Sequence, residues 1–123
     1  MSDIEVDFSL LLRPEVPTRN FASGDTIFSE GDHADEFFVV VRGKVEIRNG
    51  SRSLEVLGPK GIFGEMALID DSPRSATVVA LTDVTVAPIK EAQFLFLVKH
   101  MPMFALKVMR VLAKRLRRQN KAV

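Results

Sequence analysis

Residues Glu36–Gly50 read EFFVVVRGKVEIRNG, two short apolar runs on either side of Gly43. In the first, Phe37, Val39 and Val41 alternate with Phe38, Val40 and Arg42. In the second, Val45 and Ile47 alternate with Lys44, Glu46 and Arg48. A period of two marks a strand, because successive side chains point to opposite faces. Asn49-Gly50 closes the second run. Both residues tolerate positive φ, so the pair predicts a hairpin.

Outward from this pair the texture persists. SLEVLG (53–58) resembles a returning strand, and RSATVVAL (74–81) and VTVAPI (84–89) supply two more. Glycines punctuate the runs from Gly24 to Gly64. Many short strands with glycine turns predict a closed or sandwiched antiparallel fold, a jelly roll or barrel. No β-α-β alternation is visible, which disfavours a doubly wound dinucleotide fold.

At Lys90 the pattern changes. EAQFLFLVKH (91–100) reads as a helix, interrupted at Met101-Pro102, since proline removes an amide and clashes with the preceding turn. A second helix is predicted from about Met103 to about Asn120. Phe104, Val108, Leu112 and Leu116 fall four apart on one stripe, flanked by Ala105, Met109 and Ala113. Lys107, Arg110, Lys114, Arg117 and Arg118 lie mostly off it. Near the N-terminus, DFSLLL (7–12) reads as a short helix stopped before Pro14.

The 123 residues, 46% hydrophobic, suit one domain with a real core. The expected division is a β-rich part over about 18–89 and C-terminal helices over about 90–120. No cysteine is present, which excludes disulfides and thiolate chemistry. No apolar run reaches eighteen residues, so no transmembrane helix is expected. Asp3, Glu5 and Asp7 stand where a signal peptide would be basic, and the cytoplasm is the expected location.

Charge is uneven. Residues 1–91 hold all 16 acidic residues and 9 of the 17 lysines and arginines; residues 92–123 hold the other 8 and no acid. The plain reading of the basic helix is a solvated face beside an acidic body. The same charges suit a membrane surface or nucleic acid. Its apolar stripe also suits a second subunit or a protein partner.

An enzyme is not expected. HExxH and GxSxG are absent, and His33 and His100 lie far apart. Asp32, His33, Asp35 and Glu36 read as a turn between strands, with their carboxylates in water, and no metal is expected.

One segment gathers the parts of an anion site. Gly64–Ala76 reads GEMALIDDSPRSA. Arg74 offers a fork of N–H donors, Ser75 a hydroxyl and an amide, and Ala76 an approachable amide. Gly64 allows close approach of backbone. The apolar run after it predicts a helical turn with amides toward the anion. Glu65 would repel a phosphate but suits a sugar hydroxyl. A plain surface loop, with Arg74 paired to Asp70 or Asp71, satisfies the same residues. There is no P-loop.

Phe63-Gly64-Glu65-Met66-Ala67-Leu68, followed by Pro73-Arg74-Ser75-Ala76-Thr77, resembles the phosphate-binding cassette of the cyclic nucleotide-binding domain family. These domains are the sensors of catabolite activator protein-like regulators, of kinase regulatory subunits and of gated channels. Phe21, Gly24, Ile27, Glu30-Gly31-Asp32, Phe38, Val40, Gly43 and Val45 extend the resemblance upstream, and it covers about residues 18–118.

The resemblance implies an eight-stranded antiparallel β-roll, or jelly roll, with helices at both ends and cAMP or cGMP bound in the roll. It implies that Glu65 accepts from the ribose 2′-hydroxyl and that Gly64 and Ala67 border the sugar-phosphate, with Met66 in the same binding segment. Arg74 then pairs with the phosphate, and Ser75 and Ala76 complete its cradle. A hydroxyl at Ser75 favours guanine in a syn pose; cAMP remains the favoured ligand and cGMP the alternative. Leu54 and Leu57 line the roll near ribose and purine, or are ordinary core leucines. Counted from Arg74, Gln119 and Asn120 fall near the base.

Transcription factors of the family continue into a helix-turn-helix domain, and no such DNA-binding module is read here. The expectation is a free-standing sensor, or a piece of something larger, whose C-terminal helices rearrange on binding. A ligand-free structural or partner-binding module and a basic membrane- or nucleic-acid-binding module are the other readings.

Overall fold

The computed structural model describes residues 16–121, with side chains to Arg118. The short helix read over 7–12 lies outside the described residues. Eight strands precede two helices: β1 (Arg19–Phe21), β2 (Thr26–Phe28), β3 (Phe37–Arg42), β4 (Val45–Asn49), β5 (Arg52–Leu57), β6 (Ile62–Phe63), β7 (Thr77–Ala80), β8 (Val84–Ile89), α1 (Glu91–His100) and α2 (Met103–Lys121). A 3-10 turn, Glu65–Leu68, lies between β6 and β7.

The strands pair as two four-stranded sheets, ordered β1-β8-β3-β6 and β2-β7-β4-β5. Every pairing is antiparallel. The two runs flanking Gly43 therefore fall in different sheets, and Gly43 makes the crossing. Its φ is +87°, and a Cβ there would lie 2.2 Å from the Asp83 carbonyl oxygen, so a side chain is excluded on both counts.

The predicted hairpin forms, shifted by one residue. Asn49 pairs with Arg52 as the last rung of β4–β5, which leaves Gly50–Ser51 as the loop. Gly50 alone of the Asn-Gly pair takes positive φ, at 61°. Glycine at the first loop position matches the twist of the flanking strands without needing asparagine in the left-handed region.

Alternation in β3 sorts two cores. Phe37 and Val39 join Ile62, Ala87, Ile89, Leu97, Phe104 and Val108 under the helices. Phe38 and Val40 join Val45, Phe63, Val78, Ala80, Val84 and Val86 on the other side. Phe37–Val40 are thus buried on both faces. Phe37, Phe63 and Phe104 are fully buried, each contributing on the order of 2–3 kcal/mol of hydrophobic stabilisation. Phe37 packs edge-on against Phe94 of α1 at 5.9 Å and stacks on Phe104 of α2 at 6.3 Å, which seats both helices on the first sheet.

The interruption at Met101-Pro102 separates the helices as expected. The apolar stripe of α2 is corrected. Phe104 and Val108 are buried and Leu112 is half-buried, but Leu116 is 59% exposed. A step of four overshoots the helical repeat, so Leu116 stands about 120° round from Phe104, whereas Arg115 stands about 20° from it. The packed face continues into an arginine.

Candidate functional site

The segment read as an anion site connects β6 to β7. Gly64 has φ +75°, and Glu65 opens the 3-10 turn directly after it, the helical turn expected from the apolar run. The segment returns beside the β2–β3 connection. There the Gly31 amide donates to the Arg74 carbonyl at 2.9 Å, and the Arg74 amide donates to the Asp32 carbonyl at 2.8 Å. Thr77 Oγ1 accepts from the Glu30 amide at 3.0 Å. These bonds fix the backbone on either side of Arg74.

Arg74 is buried, 8% exposed. It is not paired with Asp70 or Asp71; Asp70 accepts from the Ser72 amide instead. Its Nη2 donates to the Glu36 carbonyl at 2.8 Å and Nη1 to the Gly64 carbonyl at 3.3 Å. Nε is buried with no partner. Among the described residues Arg74 forms no carboxylate ion pair. Burial pulls its guanidinium below the ordinary range, while the charges of Glu36, Asp35, Asp32 and Glu65 push it back up. It is a cation held out of water with a donor to spare. Ser75, exposed, and Ala76, half-buried, follow directly, and among the described residues neither amide donates to another backbone group.

Glu65, 3% exposed, is held from the far end of the chain. Arg115 of α2 donates to its carboxylate through Nη1, to Glu55 of β5 through Nε at 3.1 Å, and to the Ile62 carbonyl through Nη2 at 2.6 Å. Arg118 pairs with Glu55 as well, at 3.1 Å. Neither Arg115 nor Glu55 was singled out from the sequence. A strict 3.6-residue count from Phe104 carries the signal for Arg115; for Glu55 the signal is its place on the strand. It lies opposite Ile47 and two residues from Leu57, both packed on the second core, so its face is the inner one.

The remaining predicted residues are spread around this pair. Met66 is 46% exposed on the 3-10 turn, and Ala67 is half-buried there. Leu54 is 45% exposed, at the register shift of the β4–β5 ladder, and Leu57 packs on the second core. Gln119 and Asn120 fall in the last turn of α2, with side chains outside those described. Asp32, Asp35 and Glu36 lie in the β2–β3 connection, as read from the sequence, but the Glu36 carboxylate does not stand in water: it is 12% exposed and paired with Arg19. Among the described residues no group of acids and histidines has the arrangement of a metal site. An open cleft of about 180 Å³, lined by Pro17, Thr18, Arg19, Glu36, Pro88, Lys90 and Gln93, touches this region only at Glu36.

Two antiparallel sheets thus carry a buried guanidinium that pairs with no carboxylate among the described residues, and a buried carboxylate tethered to the last helix. The chain belongs to the cyclic nucleotide-binding domain family, which matches residues 18–101. It is 32% identical over 108 residues to the CRP-like cAMP-activated global transcriptional regulator of Mycobacterium tuberculosis, a match that covers 82% of this chain and 47% of the relative. The crystal structure of Thermus thermophilus catabolite activator protein superposes with a TM-score of 0.75 at 33% identity, covering 87% of this chain and 53% of that one. The cAMP-bound form of the EAL enzyme Bd1971 superposes with a TM-score of 0.61 at 40% identity, covering 86% of this chain and 29% of that one. The chain thus spans about half the length of the bacterial regulator. The matched region is a binding domain and not a catalytic one. No described helix is long and apolar enough to cross a membrane.

Proposed function

We propose that this domain is a non-enzymatic cyclic nucleotide sensor, with cAMP its favoured ligand and cGMP the alternative. The observation that carries the reading is Arg74, buried, paired with no carboxylate among the described residues and with Nε unpartnered. A buried cation in that state is poised for an anion from outside. In this reading Arg74 holds the phosphate, and Ser75 and Ala76 add their amides. Glu65 accepts from the ribose 2′-hydroxyl, while Gly64, Met66 and Ala67 border the sugar-phosphate. Leu54, Gln119 and Asn120 lie toward the base. The two sheets are the halves of one eight-stranded roll, and residues 1–123 form one cytoplasmic domain.

The relatives support the ligand class. The mycobacterial regulator is described as cAMP-activated, and Bd1971 has been solved in cAMP-bound and cGMP-bound forms. The link to an output runs through Glu65, which Arg115 ties to α2. A ribose hydroxyl arriving at Glu65 changes what holds that helix, and the bound state selects a different helix position. Met109 and Leu116, 56% and 59% exposed, give α2 an apolar surface for a second copy or another protein.

The test is calorimetric titration with cAMP and then cGMP, on protein unfolded and refolded to strip ligand carried from the host. The expected result is a one-site isotherm at micromolar affinity or tighter for at least one of them. Flat traces for both, with refolding confirmed, overturn the reading.

A further inference from the structure

Four carboxylates surround Arg74 closely enough to act on its charge, those of Glu36, Asp35, Asp32 and Glu65. Each is turned elsewhere. Glu36 pairs with Arg19 at 2.6 Å and Asp35 with Lys90 at 3.8 Å. Asp32 accepts from the Ser29 amide at 2.9 Å, and Glu65 pairs with Arg115. A buried guanidinium among four acids gains Coulomb energy by swinging onto one of them. Its hydrogen bonds to the Glu36 and Gly64 carbonyls hold its edge in a different place, and a side chain holds its face.

The side chain that does so is aromatic. The Arg74 guanidinium carbon lies 4.0 Å from the centroid of the Phe28 ring on β2. Gly64 borders the same contact: a Cβ there would come within 2.8 Å of Arg74 Nη1 and 3.4 Å of Phe28 Cε2, so only bare backbone fits beside the ring and the guanidinium. The ring thus covers one face of the guanidinium, and the Gly64 and Glu36 carbonyls accept from its edge. The Phe28 ring is itself fixed, packed on Phe38 at 6.0 Å and on Phe63 at 5.9 Å.

We infer that Phe28 is a positioning residue for the anion site. The negative face of its ring supports the desolvated charge and sets the plane of the guanidinium. Arg74 therefore stays clear of the carboxylates and open to a phosphate. Phe28 itself never touches the ligand; it acts through Arg74. The inference rests on the reading of Arg74 as the phosphate ligand.

A packing role and an electrostatic role predict different results. Fluorination of a phenyl ring nearly preserves its shape while draining its negative face. Phe28 would be replaced by 4-fluoro-, 3,5-difluoro- and 3,4,5-trifluorophenylalanine, and each protein, stripped by refolding, titrated with cAMP and cGMP. The expected result is a Kd that rises with each added fluorine, to roughly two- to thirty-fold for the trifluoro ring, in protein that still melts cooperatively with a modestly lowered Tm. The same series in an Arg74→Met background should leave the residual affinity unchanged. A flat Kd across the series, with the unmodified protein binding normally, overturns the role of Phe28 and leaves the phosphate site standing. If the unmodified protein binds neither nucleotide, the phosphate reading falls and this inference falls with it.

Discussion

Two arginines frame the site and are treated in opposite ways. Arg115, on α2, spends its charge within the chain, on Glu65, Glu55 and the Ile62 carbonyl. Arg74, on the β6–β7 connection, has four acids nearby and is paired with none of them. The first arrangement is that of a tether, in which opposite charges satisfy one another at the junction of helix and sheet. The second raises the cost of folding, because a charge loses water without gaining a counter-charge. The difference teaches that burial alone does not identify a binding residue. Burial of a charge whose available partners are all engaged elsewhere is the stronger sign, and it is what the proposed phosphate role of Arg74 rests on.

The strongest way to break this contrast is Arg74→Met, which keeps an apolar stem over Phe28 and removes the charge. Affinity for cAMP should fall by about thirty-fold or more, the scale of losing one partner of a buried charge pair, while Tm does not fall. Calorimetry and a thermal melt on the same sample read both. A lower Tm with intact binding would make Arg74 a structural residue like its counterpart. Arg115→Met should do the reverse. Glu65 would be left buried without its partner, and stability to denaturant should drop by about 2–3 kcal/mol, with faster amide exchange along α2.

Two smaller changes sharpen the comparison. Arg19→Ala frees the Glu36 carboxylate, whose own backbone oxygen already accepts from Arg74. Affinity for cAMP should weaken about three-fold as Glu36 competes with the ligand, measured by titration at low and high salt. The smallest effect concerns the Arg48–Glu46 pair on the second sheet. The hydrogen bond from Arg48, and then one from Ser53, lowers the Glu46 pKa below its usual 4.5. A lowered carboxylate contributes stability above its unfolded-state value and loses it as pH falls through the folded-state value. Glu46→Gln should therefore lose slightly less stability than the wild type on acidification below about pH 4.5, in paired denaturant curves.

Much of this was legible in the chain. The alternation of Phe37–Val40 reads directly as a strand, and burial of both its faces explains why neither alternate set is polar. Met101-Pro102 marks the helix boundary because proline acts locally. The cassette residues stand close in sequence, so their proximity needs no fold to be seen. What escaped was non-local or out of phase. β1 and β2 are three residues each, too short to show a period. Leu116 was placed on the packed stripe by a step of four, and the true repeat puts Arg115 there. Phe28 is 46 positions from Arg74, and nothing in FSEG or PRSA signals that a ring will lie beneath a guanidinium.

Phe37 and Phe38 are adjacent in the chain and face different cores. The Phe38 ring lies 5.7 Å from the Arg74 guanidinium carbon, and the Phe37 ring packs on both helices. β3 is therefore a partition one strand thick, with neighbouring Cα atoms about 3.8 Å apart along it, between the core beside Arg74 and the seat of the helices. Packed interiors have low compressibility. Pressure on one side of such a partition reaches the other without a relay of intermediaries, because one peptide unit joins the two rings' residues.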